Sequence, residues 1–257
     1  VVAFSHGFHG MTLGALSATA NQYFRNAAGV PLNHVKHFAF GCEEVCPGCE
    51  LGCGMQSIDQ LTAIYKDSSS GIAPPAAFLL ETIQAEGGVK VASKEWLQAL
   101  AKLAKEVGAL LIVDDIQVGV GRTGSFFSFD DLGIDPDIIC LAKGIGGMGT
   151  PMAMNLVKPE LDEHWSPGEH TGTFRGQDIS FVAGDQALTY FDNDELMKEV
   201  KTNGQQMAEA LAPLAQRYPE VNVTGKGMIL GLDVGNGDRA KAIVNQCFDA
   251  GLLIASC

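Results

Sequence analysis

Two short segments carry residue types that could do chemistry together. In the first, Asp114-Asp115-Ile116-Gln117 closes an apolar run and leads into Gly119, Gly121, Arg122, Thr123 and Gly124. In the second, Lys143 follows another apolar run and opens onto Gly144, Gly146, Gly147 and Gly149. A lysine at the buried end of a strand loses solvation of its ammonium, so its pKa drops and the neutral amine becomes a nucleophile for carbonyl compounds. An aspartate at the parallel position of the neighbouring strand can hold a buried positive charge. The pair suits a cofactor with an aldehyde at one end and a protonatable ring nitrogen elsewhere, and pyridoxal 5'-phosphate has both. The same residues also suit a plainer arrangement, with Lys143 capping a surface turn and Asp114 paired to Arg122.

The surrounding pattern says what positions them. Apolar runs and helical periods alternate, the signature of a mainly parallel α/β sheet with crossover helices. Strands are expected over Ala76–Ile83, Ala109–Val113, Ile138–Ala142 and Pro151–Val157. Ser93 should cap a helix with Leu97, Leu100, Ala101, Ala104 and Val107 on one face, ended by Gly108. Asp194 to about Arg217 reads as a long helix with Leu196, Val200, Met207, Leu211 and Leu214 inward. A strand (Met228–Val234) and a helix (Asp238–Asp249) follow the Gly225-Lys226-Gly227 turn. We expect a large domain over 1–193, then a connecting helix and the start of a small α/β C-terminal domain over 194–257. In such sheets ligands sit outside the carboxyl ends of the strands, which is where both segments fall.

Composition narrows the class. The chain has 257 residues, 17 basic against 30 acidic side chains, and a formal charge of −13. A fraction of 46% apolar and 18% charged residues is that of a globular protein. The acidic balance argues against nucleic acid as a partner, and no run approaches the ~20 apolar residues of a membrane span. A cytoplasmic location is expected. Both ends, Val1-Val2-Ala3-Phe4 and Leu252-Leu253-Ile254-Ala255 before Cys257, look like cut strands, so the chain reads as a fragment.

Of seven cysteines, Cys42, Cys46, Cys49 and Cys53 cluster within twelve residues of a glycine-rich stretch. They suit reduced thiols without a ligand, a zinc or iron–sulfur site, or a redox pair, and no metal is assigned. Cys140 and Cys247 read as small buried hydrophobes.

Five motifs in order carry a family resemblance. They are Ser5-His6-Gly7-Phe8-His9-Gly10, Glu81-Thr82-Ile83-Gln84-Ala85-Glu86-Gly87-Gly88, Val113-Asp114-Asp115-Ile116-Gln117 with Gly121-Arg122-Thr123-Gly124, Ala142-Lys143-Gly144, and Gly172-Thr173-Phe174. Taken singly, Phe8 reads as core, Thr173 as a turn hydroxyl, and Glu81 and Glu86 as solvated charges. As an ordered set they resemble the class III (ω-type) aminotransferases, and so imply the large domain of a fold type I pyridoxal-phosphate transferase. Asp67-Ser68-Ser69-Ser70-Gly71, Ala92-Ser93-Lys94-Glu95-Trp96-Leu97 and the stretch from Pro167 to Gly176 are most similar to the diaminobutyrate–2-oxoglutarate branch, which serves ectoine biosynthesis.

The resemblance implies a role for each residue. Lys143 would form the Schiff base and then act as general base and acid. Asp114 would hold the pyridine nitrogen and Gln117 the phenolic oxygen. Phe8 would stack on the ring with His9 beside it. Thr173 would bind the phosphate of a neighbouring subunit, making the protein a homodimer or higher homo-oligomer. Glu81 would position Asp114, and Glu86 would face the substrate, commonly paired with an arginine. The substrates implied are a small amine donor, L-2,4-diaminobutyrate first and ornithine or 4-aminobutyrate as alternatives, and 2-oxoglutarate. A catalytically inactive relative with a four-cysteine metal site remains the other alternative.

Overall fold

The computed structural model describes residues 1–41, 54–173 and 175–257, and in them the apolar runs become strands. The first half holds β1 (Val2–Phe4), α1 (Leu13–Ala18), α2 (Gln22–Asn26), β2 (Lys36–Phe38), α3 (Met55–Tyr65) and β3 (Ala77–Leu80). Short strands β4 (Ile83–Gln84) and β5 (Lys90–Val91) then precede α4 (Lys94–Val107), β6 (Leu110–Asp114), β7 (Ile138–Ala142) and β8 (Ala153–Val157). The remainder is α5 (Pro159–Asp162), α6 (Asp178–Leu188), α7 (Glu195–Arg217), β9 (Asn222–Lys226), β10 (Ile229–Asp233) and α8 (Gly237–Asp249). Cys42, Cys46, Cys49 and Cys53 lie outside the described residues.

Six strands form one sheet in the order β2-β1-β3-β6-β7-β8. The first five are mutually parallel, and β8 closes the edge antiparallel to β7. The chain leaves β1 to one side for β2, then returns to the other side for β3. That reversal opens a crevice between the carboxyl ends of β1 and β3, the place where parallel α/β sheets take ligands. The pairing of β6 with β7 sets Asp114 opposite Cys140. Lys143 follows β7 at once, as the first residue of a 3₁₀ turn over Lys143–Gly146.

The sheet is held by α3 and α4 on one face. Ser93 caps α4 by accepting from Trp96 N at 3.2 Å, and Gly108 ends it in the left-handed region at φ 71°. Trp96, Leu97, Leu100, Leu103 and Ala104 are buried, so the inward stripe lies one step toward Trp96 and Leu103 from the expected one, with Ala101 and Val107 half-covered. Trp96 is the centre of this core. Its ring meets Phe4 edge-on at 4.9 Å, and its Nε1 donates to Ser57 Oγ at 2.8 Å. Gly41 lies flat against the indole, because a Cβ there would sit 2.0 Å from Trp96 Cγ.

Helix α7 forms where expected but does not bury the expected face. Only Gly204 is buried in it, while Met207 and Leu214 are 41% and 37% exposed. The reason is the contact it makes: Gly204 packs directly on the Gly227 backbone between β9 and β10, leaving the larger side chains outside. The β9–β10 hairpin in turn reaches the main body through Met228 N, which donates to Arg122 O at 2.9 Å. Cys140 and Cys247 are half-buried rather than core. Among the described residues no helix is long and apolar enough to cross a membrane.

The indole contact gives a stability test. Gly41→Ala should lower unfolding free energy by about 1–3 kcal/mol through overpacking against Trp96, read from urea denaturation. An unchanged midpoint would mean that the Gly41–Trp96 approach is not tight.

Candidate active site

The crevice gathers groups from three strand ends, Phe8 and His9 after β1, Glu81 after β3 and Asp114 at the end of β6. After β1, Gly7 N donates to Phe4 O at 3.1 Å, and the turn is tied back by Ala20 N to Gly7 O at 2.8 Å. Thr19, fully buried, accepts from His9 N at 2.9 Å and donates to Gly10 O at 3.0 Å. This fixes the backbone of Phe8 and His9 over the ends of β3 and β6. Phe8 N then donates to Glu81 Oε2 at 3.0 Å, across the reversal between β1 and β3. His9 Nδ1 donates to Asp114 Oδ2 at 2.8 Å, with side chains 3% and 7% exposed. The other Asp114 oxygen accepts from Ile116 N at 3.2 Å.

The electrostatics follow from burial. Glu81 is held well above the usual carboxylate range, first by desolvation and then by the charges of Asp114 and Glu86. The Phe8 N–H and the Lys143 charge pull it back only partly. Cys140, opposite Asp114, is pushed up to about 11 by burial and by the Asp114 charge, so it stays a neutral thiol.

Several expectations are revised by this geometry. Lys143 is exposed, not buried, because the strand releases it at the rim into a glycine turn; its φ of 53° places it in the left-handed region. Asp114 pairs with His9, not Arg122, which is exposed. His9 bonds Asp114, and Glu81, near enough to feel the Asp114 charge, bonds Phe8 N. Phe8 meets Phe24 edge-on at 5.6 Å. Gln117 Nε2 lies 3.4 Å from Glu86 Oε1, so these two are brought together at the exposed lip. Thr173 is exposed in the stretch before α6, and no described contact joins it to the cluster.

Three features went unnoticed in the sequence. Thr19 holds the His9 loop, and nothing in its local pattern points to that. Asp115 is fully buried with Ser128 and Thr82, which the doubled aspartate could have signalled. His6, Val120 and Lys143 have positive φ past the ends of β1, β6 and β7, as does Val89 in the β4–β5 turn. Strained backbone of this kind collects at functional sites. A cavity of about 860 Å³ opens beside Phe8 and Glu86, with His6, Phe24, Arg25 and His37 on its wall. Arg25 Nη1 is spent on the carbonyls of Leu16, Ser17 and Thr19.

A buried carboxylate fixed by an imidazole, an aromatic ring beside it and a lysine on the adjacent strand end fit a cofactor with a cationic ring nitrogen and an aldehyde. The mainly parallel sheet is that of the fold type I pyridoxal-phosphate-dependent enzymes. The class-III aminotransferase family model matches residues 1–257, and the chain belongs to that family.

Among its relatives, a diaminobutyrate–2-oxoglutarate transaminase of Vibrio parahaemolyticus is 46% identical over 257 residues, 99% of this chain and 59% of that protein. One of Halalkalibacterium halodurans is 42% identical over 256 residues, covering 99% and 58%. An uncharacterized aminotransferase of Sinorhizobium fredii is 45% identical over 260 residues, covering 100% and 56%. The chain therefore spans 56–59% of the length of these relatives. Among solved structures, a Bacillus anthracis aminotransferase superposes with a TM-score of 0.85 at 27% identity, over 99% of this chain and 60% of that one. An amine transaminase from an uncultivated Pseudomonas species, in a PLP-bound form, gives 0.85 at 26% identity over 99% and 62%.

Glu81 yields a pH test. Its raised pKa means that the folded state holds the proton where the unfolded chain has lost it. Its contribution is therefore complete below the ordinary glutamate range and is lost as pH rises through the folded value. Glu81→Gln keeps an acceptor for Phe8 N and cannot ionise. The variant should match the parent in acid and exceed it in urea midpoint at alkaline pH; a parallel loss at both would refute the buried, proton-holding Glu81.

Proposed function

We propose that the protein transfers the terminal amino group of L-2,4-diaminobutyrate to 2-oxoglutarate, giving aspartate 4-semialdehyde and glutamate. The observation that carries the reading is the His9–Asp114 pair beneath the β1–β3 crevice, with Lys143 on the next strand end. The donor and acceptor are supported by relatives 42% and 46% identical that bear the diaminobutyrate–2-oxoglutarate transaminase name.

Pyridoxal phosphate, when bound, supplies an aldehyde and an electron-withdrawing ring that stabilises negative charge on the substrate carbon. Asp114, oriented by the His9 N–H, would hold the ring nitrogen. Phe8 would cover the ring and exclude water. Lys143 Nζ would hold the cofactor by its aldehyde and would move the proton at the substrate carbon that bears nitrogen. Lys143 heads the turn after β7 at φ 53°, and its charge bears on Glu81. Gln117 would serve the phenolic oxygen, and Glu86, which it touches, would face the substrate amine.

The reading includes a homodimer. Helix α6 and the Lys143 turn form an apolar groove of about 700 Å³, and Met148, Ile179, Val182 and Tyr190 stand 84%, 60%, 71% and 65% exposed. An apolar surface of that kind marks an interface. A second copy seated there would bring its Thr173 toward the phosphate. Residues 1–193 then make the cofactor-binding domain, and 194–257 the connecting helix and the beginning of a smaller one.

Absorbance of the full-length protein tests this. A lysine-linked band near the visible edge should disappear on adding L-2,4-diaminobutyrate, return with 2-oxoglutarate, and be absent in Lys143→Ala. A band that ignores diaminobutyrate but answers to ornithine or 4-aminobutyrate would replace the donor. No band would overturn the reading.

A further inference from the structure

Directly behind Asp114 lies a second carboxylate to which the reaction gives no role. Asp115 is fully buried, on the peptide that continues β6, and its N–H still pairs with Cys140 O at 3.0 Å. Successive side chains leave a strand on opposite faces, so Asp114 meets His9 while Asp115 meets the loop that returns after the Gly121–Gly124 turn. There Ser128 N donates to Asp115 Oδ2 at 3.1 Å, and the Ser128 hydroxyl donates to Oδ1. The Ser128 proton being committed, the hydroxyl of Thr82, 2.5 Å away, must donate to Ser128 Oγ. Thr82 is the residue after Glu81.

We propose that Asp115 is a positioning residue of this site: through Ser128 and Thr82 its carboxylate locks the strand end that carries Asp114 to the strand end that carries Glu81. The inference rests on the aminotransferase reading and adds to it a residue that touches neither cofactor nor substrate.

Three observations support the assignment. The packing leaves no slack, since a Cβ on Gly119 would lie 2.4 Å from Asp115 Oδ2. The carboxylate is costly where it stands: the charges that bear on it are those of Asp114, on its own segment, and Asp130, on the returning loop, and both are negative. An apolar or amide residue of the same size would hold the turn at lower cost if packing were the whole purpose. Finally, the network joins two buried neighbours of the cluster from the side opposite His9, so Asp114 is held from both faces of the sheet.

Burial moves Asp115 up to about 6, against the two Ser128 bonds that lower it. The direction of the hydrogen-bond chain therefore depends on pH. When Asp115 is ionised, Thr82 donates to Ser128 and Ser128 to Asp115. When it is protonated, the chain can run the other way. Asn in its place would accept from Ser128 N and donate to Ser128 Oγ, so Asp115→Asn imitates the protonated form at every pH.

The test uses the full-length protein, titrated with pyridoxal phosphate at pH 5 and pH 8, with thermal unfolding followed alongside. Asp115→Asn should bind the cofactor about as well as wild type at pH 5 and roughly tenfold more weakly at pH 8. Ser128→Ala and Thr82→Val, which leave Asp115 in place, should each weaken binding at pH 8. Should all three variants lose only thermal stability, with cofactor affinity equal to wild type at both pH values, Asp115 is structural and the inference is overturned. Should Asp115→Asn fail to fold, unchanged affinity in the two hydroxyl variants has the same force. Wild type that binds no pyridoxal phosphate would instead remove the functional reading, and the inference with it.

Discussion

Carboxyl groups gathered at the ends of parallel strands, with almost no cation to meet them, are the constraint around which this site is built. Glu81, Asp114 and Asp115 are all buried, yet the donors that reach them are backbone N–H groups, one serine hydroxyl and one imidazole. Ionising buried carboxyls is unfavourable, so burial pushes Glu81 and Asp115 toward their neutral forms, and Asp114, bonded to His9 at the crevice, is the one placed to meet a positively charged ring. Acidic groups left short of positive partners therefore act as a preference for a cation, and the fold's task is to keep them from moving apart or picking up water. The sheet does this because its strands cannot separate without breaking the Trp96 core behind them.

Strain is distributed in the same place. Four non-glycine residues stand at positive φ past strand ends: His6 after β1, Val89 in the β4–β5 turn, Val120 after β6 and Lys143 after β7. Each is tolerable only because its neighbours are pinned: His6 by the ties of Gly7 and Val89 by its bond to Ala85 O. Val120 lies one residue past Gly119, whose N–H is held by Asp115 O at 2.8 Å. Lys143 differs, standing at the head of a hairpin connection to an antiparallel edge strand rather than of a crossover helix. Its position is thus set by the β7–β8 pairing, whose last register pair, Ala142 with Ala153, lies immediately beside it.

Much of the scaffold was legible in the sequence, for identifiable reasons. Ile138–Ala142 is a strand to the residue, since an apolar run bounded by Asp137 and the glycines after Lys143 leaves no other boundary. Helix α4 was marked at both ends by Ser93 and Gly108, and only its inward stripe shifted, because Trp96 claimed the centre of the core. The inward face of α7 was misjudged: periodicity shows which side of a helix is apolar but not how much partner surface will cover it. Motif order singled out Phe8, His9, Glu81, Asp114 and Lys143 as candidates, and the structure joins Phe8 to Glu81 and His9 to Asp114. It could not say which atom meets which. The pairing of His9 with Asp114 spans 105 residues of sequence, and the bond of Thr82 to Ser128 spans 46. Contacts at that separation leave no local trace.

Those separations also bear on how the protein comes into being. In the sheet β1 lies between β2 and β3, both later in the chain, and its loop reaches over to β6. Both neighbours can pair with β1 before β6 exists, but His9 has no Asp114 to meet until 105 further residues have been added. Closing so long a loop is slow, because its entropic cost is met before the contact repays it. The crevice is accordingly a late product of folding: the strands on either side of it can pair well before the bond that ties the β1 loop to the end of β6.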